Sequence, residues 1–175
     1  MIRLVPLSTI PSVEVEALLD AAFGADRHGR TAYRIREGMT AIDGLSFAAK
    51  DGEQLVGTIQ AWPVVVAHAK GTDPITLVGP VAVLPDVQQQ GIGRALMTRL
   101  LEAADAGGSD AMVMIGDPEY YGRFFGFTAD ATQGWDVPGP VERHRLLARI
   151  RRAGGIASAG MLGPDTGFAR RAAAA

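Results

Sequence analysis

Apolar and polar positions follow two different periods along the chain, and the change of period falls near Gly91. Ile2 to Leu7 is a short apolar run that reads as a first strand. Ser12 follows as an N-cap, with Glu14 and Glu16 in the first turn. Val15, Leu18, Leu19 and Ala22 form a stripe at helical spacing, and Gly24 is a natural stop. The polar piece from Ala25 to Arg30 reads as a loop, and a weaker helix is expected over Thr31 to Glu37. Strand patterns then dominate. Leu45–Lys50 and Gln54–Trp62 flank the turn pair Asp51-Gly52, and Val64–Ala69 prolongs the second arm. Gly71-Thr72-Asp73-Pro74 turns the chain into Ile75–Val83. These three make an antiparallel meander.

After Gly91 the period lengthens. Ile92, Leu96, Leu100, Ala103 and Ala104 share one face of a helix, Arg94, Thr98, Glu102 and Asp105 share the other, and Gly107-Gly108 end it. Ala111–Ile115 is a continuous apolar strand. Strand, crossover helix and strand make a βαβ unit, so Ile75–Val83 and Ala111–Ile115 should run parallel. Pro118 opens a short helix through Phe125 that Gly126 ends, and Phe127–Val137 and Arg145–Ile150 read as closing strands. The expected class is α/β, in the α+β sense: a mixed, mostly antiparallel sheet with one parallel pair. With no repeat and no dividing linker, residues 1–168 read as one domain and residues 169–175 as a frayed tail.

Composition narrows the chemistry. The 175 residues are 47% hydrophobic and 21% charged, ordinary for a globular chain. There is no cysteine, which excludes disulfides, thiolate-held zinc and a cysteine nucleophile. His28, His68 and His144 are scattered without metal-ligand spacing, so no metal is expected. A net charge of −2 argues against nucleic acid as a partner. One basic cluster, Arg143, His144, Arg145, Arg149, Arg151 and Arg152, reads as a solvated strand face, with contact to an acidic ligand as the alternative. No apolar stretch nears the roughly 18 residues needed to span a bilayer. The first residues lack the pattern of a signal peptide, so a cytoplasmic location and no membrane partner are expected.

The seven residues Leu84 to Gln90 separate the last meander strand from Gly91-Ile92-Gly93. A helix N-terminus presents unpaired amides and partial positive charge, and glycine lets an anion approach them. Three phosphate loops compete for this place. The dinucleotide fingerprint needs a third glycine, where this chain has Leu96. A Walker loop needs Gly-Lys-Ser/Thr, which the chain lacks. The coenzyme A loop, Gln/Arg-x-x-Gly-x-Gly/Ala, is matched by Gln88-Gln89-Gln90-Gly91-Ile92-Gly93. The bland alternative is a glycine turn before a core helix. Upstream, Gly79-Pro80 interrupts the strand. Proline cannot donate to a ladder, so either a bulge or splay here frees backbone groups for an amide-bearing ligand, or this is an ordinary edge strand with a proline.

Val83-x-Pro85-x-x-Gln88-x-x-Gly91-Ile92-Gly93-Arg94-Ala95-Leu96 resembles motif A of the GNAT N-acetyltransferase superfamily. The element order is also that of the GNAT fold. Gly116 to Phe127, "GDPEYYGRFFGF", is similar to the "GDPxYYxRFGF" segment of a bacterial GNAT subfamily, and Val78 to Pro85 resembles its "LGPLAVxP".

The resemblance implies an acyl-CoA-dependent N-acyltransferase that moves an acetyl group from acetyl-CoA, as co-substrate, to a primary amine of a small molecule or peptide. It implies pantetheine pairing along Val81, Ala82 and Val83, and pyrophosphate on the amides from about Gln89 to Arg94, where the Arg94 side chain either joins the contact or faces solvent. The Val83 amide then polarises the thioester carbonyl. The family's tyrosine, the acid for the leaving thiolate, falls on Tyr121, with the adjacent Tyr120 as the alternative. Two departures stand out. The chain has Phe124-Phe125 where the subfamily has one Phe, and Thr76 to Val83 carries no glutamate of the kind many GNATs use as base. Asp117 and Glu119 are the candidate bases, and each also suits a helix start. Trp62 and Trp135 line either an acceptor pocket or the core. A catalytically weak acetyl-CoA or ligand-sensing module of the same fold is the rival reading. Homodimers are common in the family.

Overall fold

The computed structural model describes residues 1–175. In chain order the elements are β1 (Ile2–Pro6), α1 (Ser12–Phe23), α2 (Thr31–Ile35), β2 (Phe47–Asp51), β3 (Gln54–His68), β4 (Gly71–Val83), α3 (Ile92–Ala106), β5 (Ala111–Ile115), α4 (Pro118–Phe125), β6 (Gly134–Asp136), β7 (Leu146–Ile150), β8 (Ala159–Pro164) and α5 (Phe168–Ala174). The strands hydrogen-bond in the order β1-β2-β3-β4-β5-β7, with β8 on β3 and β6 on β8. The sheet is mixed, mostly antiparallel, with β4 and β5 parallel as the βαβ pattern requires. The chain divides into two compact units, through both of which β3 and β4 run.

The first unit holds Met1–Gly29, Ala41–Ala61 and Val78–Gly108. Here β2 and β3 form the hairpin that Asp51-Gly52 foretells, with Asp51 opposite Gln54 and Gly52 at φ 59°. Successive strand residues point to opposite faces. Ala48 packs with Val15, Leu18 and Leu19 of α1, while Phe47 lies under the Arg99 guanidinium of α3, 4.5 Å from its ring centre. The two helices therefore cover opposite faces. α3 buries Ile92, Leu96, Leu100 and Ala104, the face its period marks. Each large apolar side chain buried this way contributes roughly 1.5–3 kcal/mol.

The second unit holds Arg30–Thr40, Trp62–Leu77 and Ser109–Ala175. Its core gathers Ile35, Val64, Val66, Leu77, Val113, Trp135, Leu146 and Leu162. Trp135 is fully buried, and its Nε1 donates to the Ala157 carbonyl at 2.8 Å, so it is a core residue. β5 lies between β4 and β7. Its ladder to β7 runs from Ala111↔Ile150 to Ile115↔Leu146, whereas its ladder to β4 covers only Thr76↔Met112 and Leu77↔Val113.

Several expectations change. Gln54–Trp62 and Val64–Ala69 are one strand of 15 residues, through Pro63. Pro11, not Ser12, occupies the N-cap of α1, and the helix begins one residue earlier than a serine cap allows. The expected strand Phe127–Val137 shrinks to Gly134–Asp136. Before it, Thr128 makes only a bridge to Ala148, and Thr132 Oγ1 donates to the Leu146 carbonyl. Polar side chains bonding backbone locally compete with a ladder. β8, with a second parallel pairing to β6, is additional. Residues 168–174 form a helix rather than a frayed tail. The Asp165 carboxylate accepts from the Gly167 amide and pairs with Arg171, fixing the start of that helix.

The basic cluster is also partly structural. The Arg143 guanidinium donates to the carbonyls of Trp135, Thr132 and Gln133, holding the turn into β6.

Candidate active site: a glycine loop and a tyrosine helix

The glycine loop lies wholly in the first unit. Strand β4 ends at Val83, and the Leu84 amide donates to the Val56 carbonyl at 2.9 Å. A single tight turn covers Pro85–Val87. Gln88 turns back on the strand it left: its Nε2 donates to the Val83 carbonyl at 3.3 Å. The Gln88 side chain thus ties the loop to the end of β4. Gln89 sits at φ 69°, a left-handed conformation that costs a non-glycine residue roughly 1–2 kcal/mol. Gly91 is the N-cap of α3 at φ 78°, where glycine is at ease.

No side chain caps α3, so the amides of its first turn face outward. Gly93 opens that turn beside the strand: a Cβ there would lie 3.8 Å from Val81 Cγ1 and 3.8 Å from Val83 Cγ2. Ile92 points inward and is buried, as is Ala82, while Gln89, Gln90 and Arg94 are exposed. The fit depends on Gly57 of β3, whose Cβ would stand 3.0 Å from both the Ala82 carbonyl and Ile92 Cγ2. Val81, Ala82, Val83 and residues 88–94 are thus brought together as one strand-loop-helix corner.

The tyrosine helix lies wholly in the second unit. Asp117 is the N-cap of α4, and its Oδ1 accepts from the Glu119 amide at 3.0 Å. Pro118 takes the first helical position, where a missing N–H costs nothing. The Asp117 carboxylate is engaged as a cap, and Glu119 is exposed beside it. The helix ends at Gly126 in the left-handed conformation, φ 74°. The additional phenylalanine is absorbed in the last turn, with Phe124 exposed and Phe125 buried.

Tyr120 and Tyr121 meet edge to face at 5.0 Å between ring centres, and both rings also approach Phe125. They differ in setting. The Tyr121 ring lies over Gly116, 2.7 Å from where a Cβ would be. Burial pushes its phenol up to about 12, Tyr120 and Asp117 push the same way, and the Arg145 guanidinium opposes them. The phenol is consequently a neutral proton donor through the physiological range. Trp62, the other candidate pocket residue, stacks on Arg36, whose guanidinium carbon is 3.8 Å from the indole and 4.1 Å from the Tyr33 ring. Neither the Arg36 stack nor the Gln88 brace carries a sequence signal; both need the fold to become visible.

The model of the acetyltransferase (GNAT) family matches residues 13–127, which include the glycine loop and the tyrosine helix, and the chain belongs to that family. It is similar to the uncharacterized N-acetyltransferase YhbS of Escherichia coli strain K12, 33% identical over 112 residues, 63% of this chain and 64% of the relative. The chain thus spans just under two-thirds of the curated relatives it matches in sequence.

Among solved structures, that of YhbS from Escherichia coli in complex with CoA matches 97% of this chain and 92% of its own, at TM-score 0.68 and 26% identity. A GNAT family acetyltransferase from Brucella melitensis in complex with acetyl-CoA shares the fold at TM-score 0.65 and 23% identity, covering 96% of this chain and 98% of its own. No helix of the chain is long and apolar enough to cross a membrane.

Proposed function

We propose that the chain binds acetyl-CoA and transfers its acetyl group to a primary amine of a small molecule or peptide. The observation that carries this reading is the corner built from Val81–Val83, the loop 88–91 and the start of α3. It combines an uncapped helix start, a left-handed Gly91 and a Gly93 turned toward the strand. That is the arrangement a pyrophosphate requires at a helix N-terminus. The CoA and acetyl-CoA complexes of the two solved GNAT structures support the choice of ligand.

In this reading the amides of residues 89–94 take the pyrophosphate, and Val81, Ala82 and Val83 take the pantetheine. The Val83 amide polarises the thioester carbonyl, on which negative charge develops. The neutral amine attacks the carbonyl carbon, and the C–S bond breaks with its electron pair left on sulfur. Tyr121 gives that sulfur its proton and recovers one from the nitrogen, through solvent. The raised phenol suits this role, since a tyrosine already ionised has no proton to give. Tyr120 is the reserve, its ring engaged with Phe124 and Phe125. Asp117 and Glu119 are the acids left to take the amine's proton, and an acceptor already neutral needs neither.

One observation favours the second reading, a weak catalyst that senses acetyl-CoA. Thr76 to Val83 has no acid, and one oxygen of the Asp117 carboxylate is already held by the Glu119 amide. Free-thiol release measured across an amine library separates the two. Release that depends on a particular amine supports transfer. Tight acetyl-CoA binding with no amine-dependent release supports sensing.

A further inference from the structure

Arg145 precedes β7 and Gly116 follows β5, one step beyond the last ladder pair, Ile115↔Leu146. The two residues exchange hydrogen bonds. The Gly116 amide donates to the Arg145 carbonyl at 2.9 Å, and Arg145 Nε donates to the Gly116 carbonyl at 3.4 Å. The guanidinium is thereby folded back over the residue against which the Tyr121 ring rests. Gly116 is buried and Arg145 half-buried, so a charge placed here is only partly screened.

We propose that Arg145, anchored to Gly116 at both ends, is a positioning residue that sets the charge around the Tyr121 phenol and so its readiness to give up a proton. This rests on the acetyl-transfer reading of Tyr121 and deepens it. The groups acting on the phenol come from two sides. Tyr120 and Asp117, on and at the start of α4, disfavour the phenolate, as does burial; from the segment before β7, Arg145 favours it. A buried phenol with nothing opposing its burial would hold its proton too tightly to be a useful acid. Arg145 supplies the one positive charge among these groups. In the transfer step the Tyr121 O–H bond breaks as the S–H bond of coenzyme A forms. The Arg145 charge, held on the residue that the Tyr121 ring rests against, favours the negative charge that then appears on the phenol.

The test places 3-fluorotyrosine at position 121 and follows its ionisation by 19F NMR. The fluorine acidifies the phenol and brings its midpoint into an accessible range. Arg145→Gln is expected to raise that midpoint by about half a unit or more, and Arg145→Lys, which keeps the charge, to raise it less. In the unlabelled protein, Arg145→Gln should lower kcat about tenfold, with acetyl-CoA affinity unchanged. An unmoved midpoint in Arg145→Gln overturns the proposal, even if kcat falls, because the residue then only holds backbone. The NMR arm needs no turnover. If the unsubstituted protein releases no thiol with any amine, the acetyl-transfer reading fails by itself, and the midpoint still decides what Arg145 does.

Discussion

The Tyr121 ring occupies the space in which any Cβ at position 116 would lie, 2.7 Å from Cδ2 and from Cε2. The glycine of the Gly116-Asp117-Pro118 segment is thus a steric requirement of the tyrosine that follows it. Gly116→Ala is expected to displace the ring and to cost about 1–3 kcal/mol of stability, the usual price of overpacking. Turnover should fall steeply while acetyl-CoA affinity holds. Urea unfolding, calorimetric titration and a thiol-release assay measure the three effects. An unchanged kcat would show that the ring position does not matter to the chemistry.

Tyr121→Phe removes the proton donor and keeps the ring. We expect a loss of about a hundredfold or more in kcat, the scale of general acid catalysis, with little change in acetyl-CoA affinity. Tyr120→Phe should leave kcat within a few fold. Steady-state kinetics on the two variants assign the acid, and the reverse ranking would move the role to Tyr120.

The same phenol makes stability depend on alkaline pH. Its folded pKa is about 12 against an ordinary 10.0, so the folded protein holds this proton more tightly than the unfolded chain does. Below about 10 both states are protonated and the contribution is fully present. As pH rises from 10 towards 12 the unfolded chain releases the proton first, and about 2–3 kcal/mol is lost across that window. Tyr121→Phe should remove this slope. Urea unfolding at pH 9.5 and 11.5 in both proteins isolates it; parallel losses in the two would refute the assignment.

Gly57 supports the glycine loop from below. Its Cβ would press on the Ala82 carbonyl, Ile92 Cγ2 and Leu96 Cδ1, all at 3.0–3.2 Å. Backbone cannot yield as a flexible side chain does. Gly57→Ala should therefore push α3 from the strand, cost about 1–3 kcal/mol, and weaken acetyl-CoA binding several fold. Calorimetric titration checks this. Lowered stability with unchanged affinity would mean that the corner tolerates the shift.

What could be read from the sequence follows from how local its causes are. α3 and α4 were legible because period, caps and proline agree within a few residues: Pro118 at the first helical position, Gly126 at the end, and the stripe from Ile92 to Ala104. The hairpin at Asp51-Gly52 was legible for the same reason. β8 was not. Ala159–Pro164 carries two glycines and a proline, and its strand state comes from pairing with β3. Gly160 is required there because a Cβ would run into the Ala67 carbonyl, a contact across nearly a hundred residues of chain. At the candidate site, the bonds of single side chains carry no local pattern. Gln88 donates to Val83, Asp117 caps α4, and Arg145, in a cluster that suits either a solvated face or an acidic ligand, bonds to Gly116, the residue under the Tyr121 ring.

Acetyl transfer from acetyl-CoA is read out by thiol release from acetyl-CoA in the presence of the purified protein. Measured across a panel of primary amines, release should be slow without an acceptor, rise saturably with at least one amine, and yield an N-acetylated product of matching mass. Release that no amine accelerates, in a protein that nonetheless binds acetyl-CoA, would contradict it.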